Sequence, residues 1–424
     1  MPRQVCALSL VTLCLFTAFC RAELSPTEAA IAAAAQKRAS AAEALFERAV
    51  NIQSPTENVA GVRAVGELFA AEFQRIGMQT RWIDMPEGMH RAGHLVASTG
   101  GSKGKRVLML GHLDTVLAGE AFRREGKLAH GTGSDDMKGG IVVMLLALQA
   151  MADAGVLADA RVTVMLTGDE EDVGIPLENS RGPMIELARN SDVLLGFEAA
   201  FEGTATIGRR GAGSWTLRTR GETGHSSQIF SEARGSGAIF EAARILEAFR
   251  SELVGERYLT INPSVIVGGT TATLDDIAGS AQGKTNVIAP TAIVRGDIRF
   301  ISVEQERSAR ERMQGIVARH APLTGATLVF HESYPAMTPT PGNEALLAEL
   351  DAASRDLGQG AVESLDPGKR GAGDIGFVAH LAPGLDGLGS AGGKNAHAPG
   401  EYTDITSLLP MAQRTAILLH RLGR

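Results

Sequence analysis

Cysteine is nearly absent from this sequence, and the three that occur, Cys6, Cys14 and Cys20, all fall near the start. From Glu23 onward there is no thiol, so disulfides and cysteine-ligated zinc are excluded from that part of the chain. Aromatic residues are only 4% of the total, which leaves Ala, Val, Leu and Ile to build the core. Basic residues are also outnumbered. Without Arg3 and Arg21 the net charge is about −9, against 48 acidic residues, which argues against nucleic acid as a partner. Long apolar runs are missing too: the segment 141–152 falls well short of the roughly 20 residues of a membrane span and reads as a buried helix.

What is present begins with residues 1–22, which have the form of a secretory signal. Arg3 gives a positive start, Val5 to Phe19 an apolar stretch, and Cys20-Arg21-Ala22 a small-x-small cleavage site. The expected mature chain starts near Glu23 and is secreted or periplasmic, with no membrane association after cleavage. At 424 residues the chain is long enough for two domains.

Beyond an exposed Ala-rich helix over 29–48 and a second helix over 59–76, short apolar runs alternate with helical stretches. Strands are expected at 106–110, 161–166 and 192–197, with helices at 139–152 and 184–188 between them. This rhythm predicts an α/β fold with a mostly parallel sheet flanked by helices. After Phe201 the order becomes strand 214–220, helix 235–252, strands 264–267 and 292–300, helix 303–318 and strand 327–330. That β-α-β-β-α-β series predicts a ferredoxin-like domain over 210–334, inserted between catalytic portions 23–209 and 335–424. The last portion is expected to hold helices at 345–357 and 408–422.

The candidate chemistry sits at strand ends. His112 and Asp114 follow the first strand two residues apart, so they share a side of an extended segment; one suits a metal while the other orients it. Alone, the pair is equally a capped loop. Asp135 and Asp136 lie at the tip of a Gly-rich turn entering a helix, where capping is the plain alternative and where paired carboxylates would repel a phosphate. Gly168-Asp-Glu-Glu-Asp172 closes the next strand, with Glu170 and Glu171 pointing to opposite sides, and Glu198 closes the third. Any one of these is an ordinary solvated turn. Together they put His or carboxylate at one edge of three strands, the edge where open α/β sheets bind ligands. His397, in a late Gly-rich loop, joins them if the chain returns to that edge.

In this order and spacing, the motifs from about Val59 to the C-terminus resemble the di-zinc exopeptidase superfamily of glutamate carboxypeptidases, aminoacylases, acetylornithine deacetylases and succinyl-diaminopimelate desuccinylases. The resemblance implies two zinc ions per subunit. It makes Asp136 the bridging ligand, His112 and Glu198 the further ligands of one ion, and Glu171 and His397 those of the other. It makes Asp114 the support of His112, and Glu170 the general base that takes a proton from a zinc-bridging water and later returns it to the leaving amine. The inserted domain becomes a lid and dimerisation unit. In it His225, within Gly221-Glu-Thr-Gly-His-Ser-Ser, would reach the partner's active site to stabilise the oxyanion. Arg210, Asn286, Arg299 and Gly373 match substrate-binding positions.

Asp135, Asp172 and the doubled Arg209-Arg210 depart from the common pattern. Glu198, rather than aspartate, resembles the carboxypeptidase and deacylase branches. With Arg209, Arg210 and Arg299 it points to release of a C-terminal acidic residue from a peptide or N-acyl conjugate. An N-acyl-amino-acid deacylase is the neighbouring alternative. A noncatalytic peptide-binding protein would lack a base or a ligand, and none is missing.

Overall fold

The computed structural model describes residues 23–275, 278–331 and 334–424, so the expected signal segment 1–22 lies outside it. Six strands form the larger sheet, in the order Gln79–Ile83, His94–Ser98, Ala160–Thr167, Lys103–His112, Val193–Gly196 and Gly384–Leu385. The last four run parallel to one another, whereas His94–Ser98 is antiparallel to the strand on either side of it, which makes the sheet mixed. Neither Gln79–Ile83 nor His94–Ser98 was legible as a strand, since both are short and lie beside polar loops.

The central strand shows why both sheet faces are covered. Val107 and Met109 face one hydrophobic cluster, while Leu108 and Leu110 face another, as the two-residue period of a strand requires. On the first face lies Gly139–Asp153, apolar on all sides because helices Pro26–Val50 and Leu408–Leu422 cover it. The N-terminal helix is therefore not exposed, contrary to the expectation from its Ala-rich composition. Ile31, Ala35, Phe46 and Val50 are fully buried, and the small alanines between them admit close approach of the neighbouring helices. The helix starts at a capping box in which the Ser25 hydroxyl accepts from the Glu28 amide and the Glu28 carboxylate accepts from the Ser25 amide.

Glu28 also receives Arg421 Nε at 2.8 Å, joining the first helix to the last. Burial by itself would raise this carboxyl, but the bonds from Arg421 and Ser25 hold it down to about 2. A depressed folded pKa means stability that is present above the unfolded value and lost as pH falls toward the folded one. Glu28→Gln is accordingly expected to cost about 1–3 kcal/mol at pH 7 in urea unfolding. The cost should shrink as pH drops from 4.5 toward 2.

Residues 211–330 contribute a separate four-stranded antiparallel sheet, ordered Thr260–Gly269, Thr291–Phe300, Gly211–Gly221 and Thr324–Phe330. Helices Gly237–Leu253 and Val303–Ala318 pack on it, around Trp215, Phe249, Ile298, Phe300 and Met313. This is the ferredoxin-like strand order. A small exposed hairpin, Thr271–Leu274 with Gly279–Gln282, is an addition that the alternation of the sequence did not announce.

Candidate metal centre

Parallel pairing brings the ends of Ala160–Thr167, Lys103–His112 and Val193–Gly196 to one edge of the larger sheet. Gly384–Leu385 adds a fourth parallel strand and returns the C-terminal loops to that edge. His112 is the last residue of its strand and is buried. Its Nε2 lies 3.1 Å from Asp136 Oδ1 and 3.8 Å from Glu198 Oε1. On the other side, His397 Nε2 lies 3.0 Å from Asp136 Oδ2 and 3.1 Å from Glu171 Oε2. One carboxylate thus stands between two imidazoles, with one oxygen for each. The five candidate ligands divide into His112 with Glu198 and His397 with Glu171, sharing Asp136.

The electrostatics follow from this crowding. Burial favours a neutral Asp136, yet the His112 and His397 bonds hold its carboxyl far below the usual range. Bonds to Asp136 and Glu171 push His397 up to about 11. Burial pushes Glu198 up to about 7 against the pull of Arg209, and pushes Glu170 well above the carboxylate range, with the Glu198 charge adding to it. So many acids with so few basic partners call for a cation. Glu171 Oε1 is buried with no hydrogen-bond partner, and His with carboxylate donors is a set that zinc accepts. The residues fit a metal pair.

Asp114 does more than was expected of it. The His112 Nδ1 meets the Asp114 carbonyl at 3.0 Å and its carboxylate at 3.4 Å. That fully buried carboxylate also accepts from the Glu170 and Glu171 amides at 3.1 Å each and from Thr56 Oγ1 at 2.7 Å. One side chain therefore orients the imidazole and the paired glutamates together.

Glu401 was missed by sequence reasoning, although a lone Glu after a Gly-rich loop is its only signal. Its buried carboxylate accepts from the amides of Gly133, Asp135 and Asp136 at 2.7, 2.8 and 3.0 Å, fixing the turn that presents Asp136. Gly393 is required beside it, because a Cβ there would lie 1.9 Å from Asp135 Oδ1. Asp172, the other acidic departure, pairs with Arg91 at the surface.

Arg209 is not free for substrate, which corrects its expected part in acid recognition. It is buried, donates to Asp386 at 2.6 Å and to the Gly371 and Ala372 carbonyls, and lies 3.7 Å from Glu198. Gly373 admits it: a Cβ there would lie 2.4 Å from the guanidinium. Arg299 is likewise engaged, by Asp297 at 2.8 Å, and Arg210 reaches the Gly368 carbonyl at 3.3 Å. His225 and Asn286 lie side by side, the Ser226 amide donating to the Asn286 carbonyl, and neither touches the metal residues of its own chain. His225 Nδ1 accepts from the Ser227 amide at 3.3 Å and lies 2.8 Å from the Ser227 hydroxyl, so Nε2 is the ring nitrogen left for another partner.

A cleft of about 370 Å³ opens over Asp136, Glu170, Glu198 and His397. Lys369 and Arg370 stand in its wall. Arg370 is 8% exposed, donates to Thr206 Oγ1 at 3.3 Å, and has no ion pair among the described residues.

The sequence pattern of Peptidase family M20/M25/M40 matches residues 108–421. Carboxypeptidase G2 of Pseudomonas sp. (strain RS-16) is 24% identical over 387 residues, covering 89% of this chain and 88% of that protein. A succinyl-diaminopimelate desuccinylase of Gluconacetobacter diazotrophicus is 26% identical, covering 88% of this chain and 94% of its own length. Among solved structures, the Bacillus subtilis YXEP protein, a dinuclear metal binding peptidase, superposes with a TM-score of 0.64 at 15% identity, over 92% of this chain and 99% of that one. With the matched pattern spanning most of its length, the chain belongs to Peptidase family M20/M25/M40 and is a dinuclear zinc hydrolase of the metallopeptidase and amidohydrolase kind.

Proposed function

We propose that the chain is a carboxypeptidase that releases an acidic C-terminal amino acid from a peptide or N-acyl conjugate. The reading is carried by the cleft itself, where a carboxylate shared by two imidazoles and a raised glutamate face a buried arginine that makes no ion pair among the described residues. His112, Asp136 and Glu198 would hold one zinc ion, and Asp136, Glu171 and His397 the other. When bound, zinc polarises the scissile carbonyl and acidifies the attacking water. Glu170 takes the proton of that water and returns it to the leaving amine. Arg370 and Lys369 receive the carboxylates of the released residue, a task for which the planar guanidinium is suited.

Arg370→Gln is expected to raise KM for C-terminal Glu substrates about 10–100-fold with a smaller change in kcat, the size of one charged hydrogen bond. A panel of N-acyl and peptidyl amino acids tests the specificity. Equal turnover of C-terminal Glu or Asp and Leu or Phe would remove the acidic preference. Turnover of N-acyl amino acids alone would favour the deacylase reading, which the similarity to a desuccinylase supports.

Residues 210–334 serve in this reading as lid and dimerisation domain. Thr260–Gly269 is an edge strand with Val265 and Ile266 exposed, and Ile239 and Phe240 are exposed on the helix nearby. Pairing across that edge supports a homodimer in which His225 donates its Nε2–H to the partner's oxyanion. Phe240→Glu should shift the protein to monomer in sedimentation and lower activity in parallel; a monomeric wild type with full activity would exclude a role in trans. Export follows from residues 1–22 and is checked by the N-terminal sequence of the protein recovered outside the cytoplasm.

A further inference from the structure

A second cavity, of about 640 Å³, neighbours the cleft over the candidate ligands and shares Glu202 and Gly392 with its wall. Lys127, Glu202, Lys394, Asp404 and Arg414 line it together with Met411. Lys127 pairs with Asp404 at 2.7 Å, and Asp404 also accepts from Thr406. Arg414 is the buried charge of this wall and makes no ion pair among the described residues. It belongs to helix Leu408–Leu422, is 7% exposed, and its guanidinium meets only the sulfur of Met411, a weak acceptor, among the described residues. Burial pulls its pKa down to about 10, and no carboxylate offsets that pull.

A buried cation without a counter-charge is costly unless something compensates it. Helix propensity does not explain the choice, because Met and Leu have a propensity similar to that of Arg. The cavity supplies room for the missing anion, and the exposed Lys394 ammonium at its rim adds a second positive group. Glu202 and Asp404 in the same wall disfavour a multiply charged ligand such as phosphate. We propose that Arg414 is the anchor of a second ligand site, separate from the catalytic cleft, that takes a small monocarboxylate. The proposal does not depend on which amide bond the enzyme cleaves.

Thermal unfolding of the full zinc-loaded protein in low-salt HEPES tests it, with sodium acetate as the probe and sodium phosphate at equal ionic strength as comparison. Acetate at millimolar concentration should raise Tm saturably by about 2–4 °C. Arg414→Met should start from a higher Tm than wild type and lose the acetate response, and Lys394→Gln should weaken acetate binding severalfold. Arg370→Gln, altered in the catalytic cleft, should keep the response in full. The proposal is overturned if Arg414→Met still responds to acetate, or if the response disappears in Arg370→Gln instead. Equal stabilisation by phosphate through Arg414 would overturn the assignment to a monocarboxylate. Should Arg414→Met fail to fold, calorimetric titration of acetate into wild type and Lys394→Gln decides, unchanged affinity between them counting against the site.

Discussion

Replacing Glu170 by Gln lowers kcat by roughly 10²–10⁴-fold while zinc content stays at the wild-type level. The substitution keeps the side chain's size and spares every contact that fixes the turn. Those contacts are made by the backbone: the Glu170 amide donates to Asp114 at 3.1 Å, and its carbonyl accepts from the Tyr334 hydroxyl. What an amide cannot do is accept a proton at neutral pH. The carboxyl it replaces is held well above its ordinary range by burial and then by the Glu198 charge, a setting that makes it a competent base and, once protonated, a competent acid. Glu171→Gln should behave differently. Its carboxylate faces His397 at 3.1 Å, so the expected outcome is loss of metal together with loss of activity. Elemental analysis beside steady-state kinetics separates the two glutamates. Near wild-type turnover by a zinc-replete Glu170→Gln protein would remove its proton-transfer role.

Much of this arrangement is legible in the chain because strand direction does the assembling. Three expected strands end in His112, Glu170-Glu171 and Glu198, and parallel pairing of 103–112 with its neighbours is sufficient to gather them. Asp136 and His397 are harder to place from sequence, since each depends on a glycine-rich loop whose path is set by contacts far along the chain. Glu401 holds the Asp136 turn across more than 260 residues, and nothing local to either segment announces that bond. The arginines mark the opposite case. Arg209 is a cation beside a strand that ends in a candidate ligand and so invites a role in substrate binding, but burial against Asp386 and Glu198 makes it a support of the candidate ligand Glu198. Arg370, in an unremarkable Gly-Lys-Arg-Gly stretch, is the arginine left without an ion pair in the cleft. Sequence shows how many charges there are; only packing shows which of them are spent on each other.

Buried charge also governs how the fold responds to a single substitution. Arg181 is 1% exposed and sits between two buried acids, with NH1 2.6 Å from Asp169 Oδ1 and NH2 2.8 Å from Asp374 Oδ1. Asp169 also accepts from the Ser180 hydroxyl and the Gly174 amide, and Asp374 from the Thr167 hydroxyl. The triad therefore ties the Glu170-Glu171 turn to the 371–377 segment whose carbonyls hold Arg209. Arg181→Ala leaves two carboxylates buried without their cation, and the expected loss is about 3–5 kcal/mol, read as a fall in urea midpoint with zinc saturating. Because the loss comes from stranded charge rather than from the pair's own strength, neutralising all three positions should recover part of it. The variant combining Asp169→Asn, Arg181→Met and Asp374→Asn is expected to unfold at a higher urea concentration than Arg181→Ala alone. A change below about 1 kcal/mol for Arg181→Ala would mean that water reaches both carboxylates and that the triad is not a dry ion cluster.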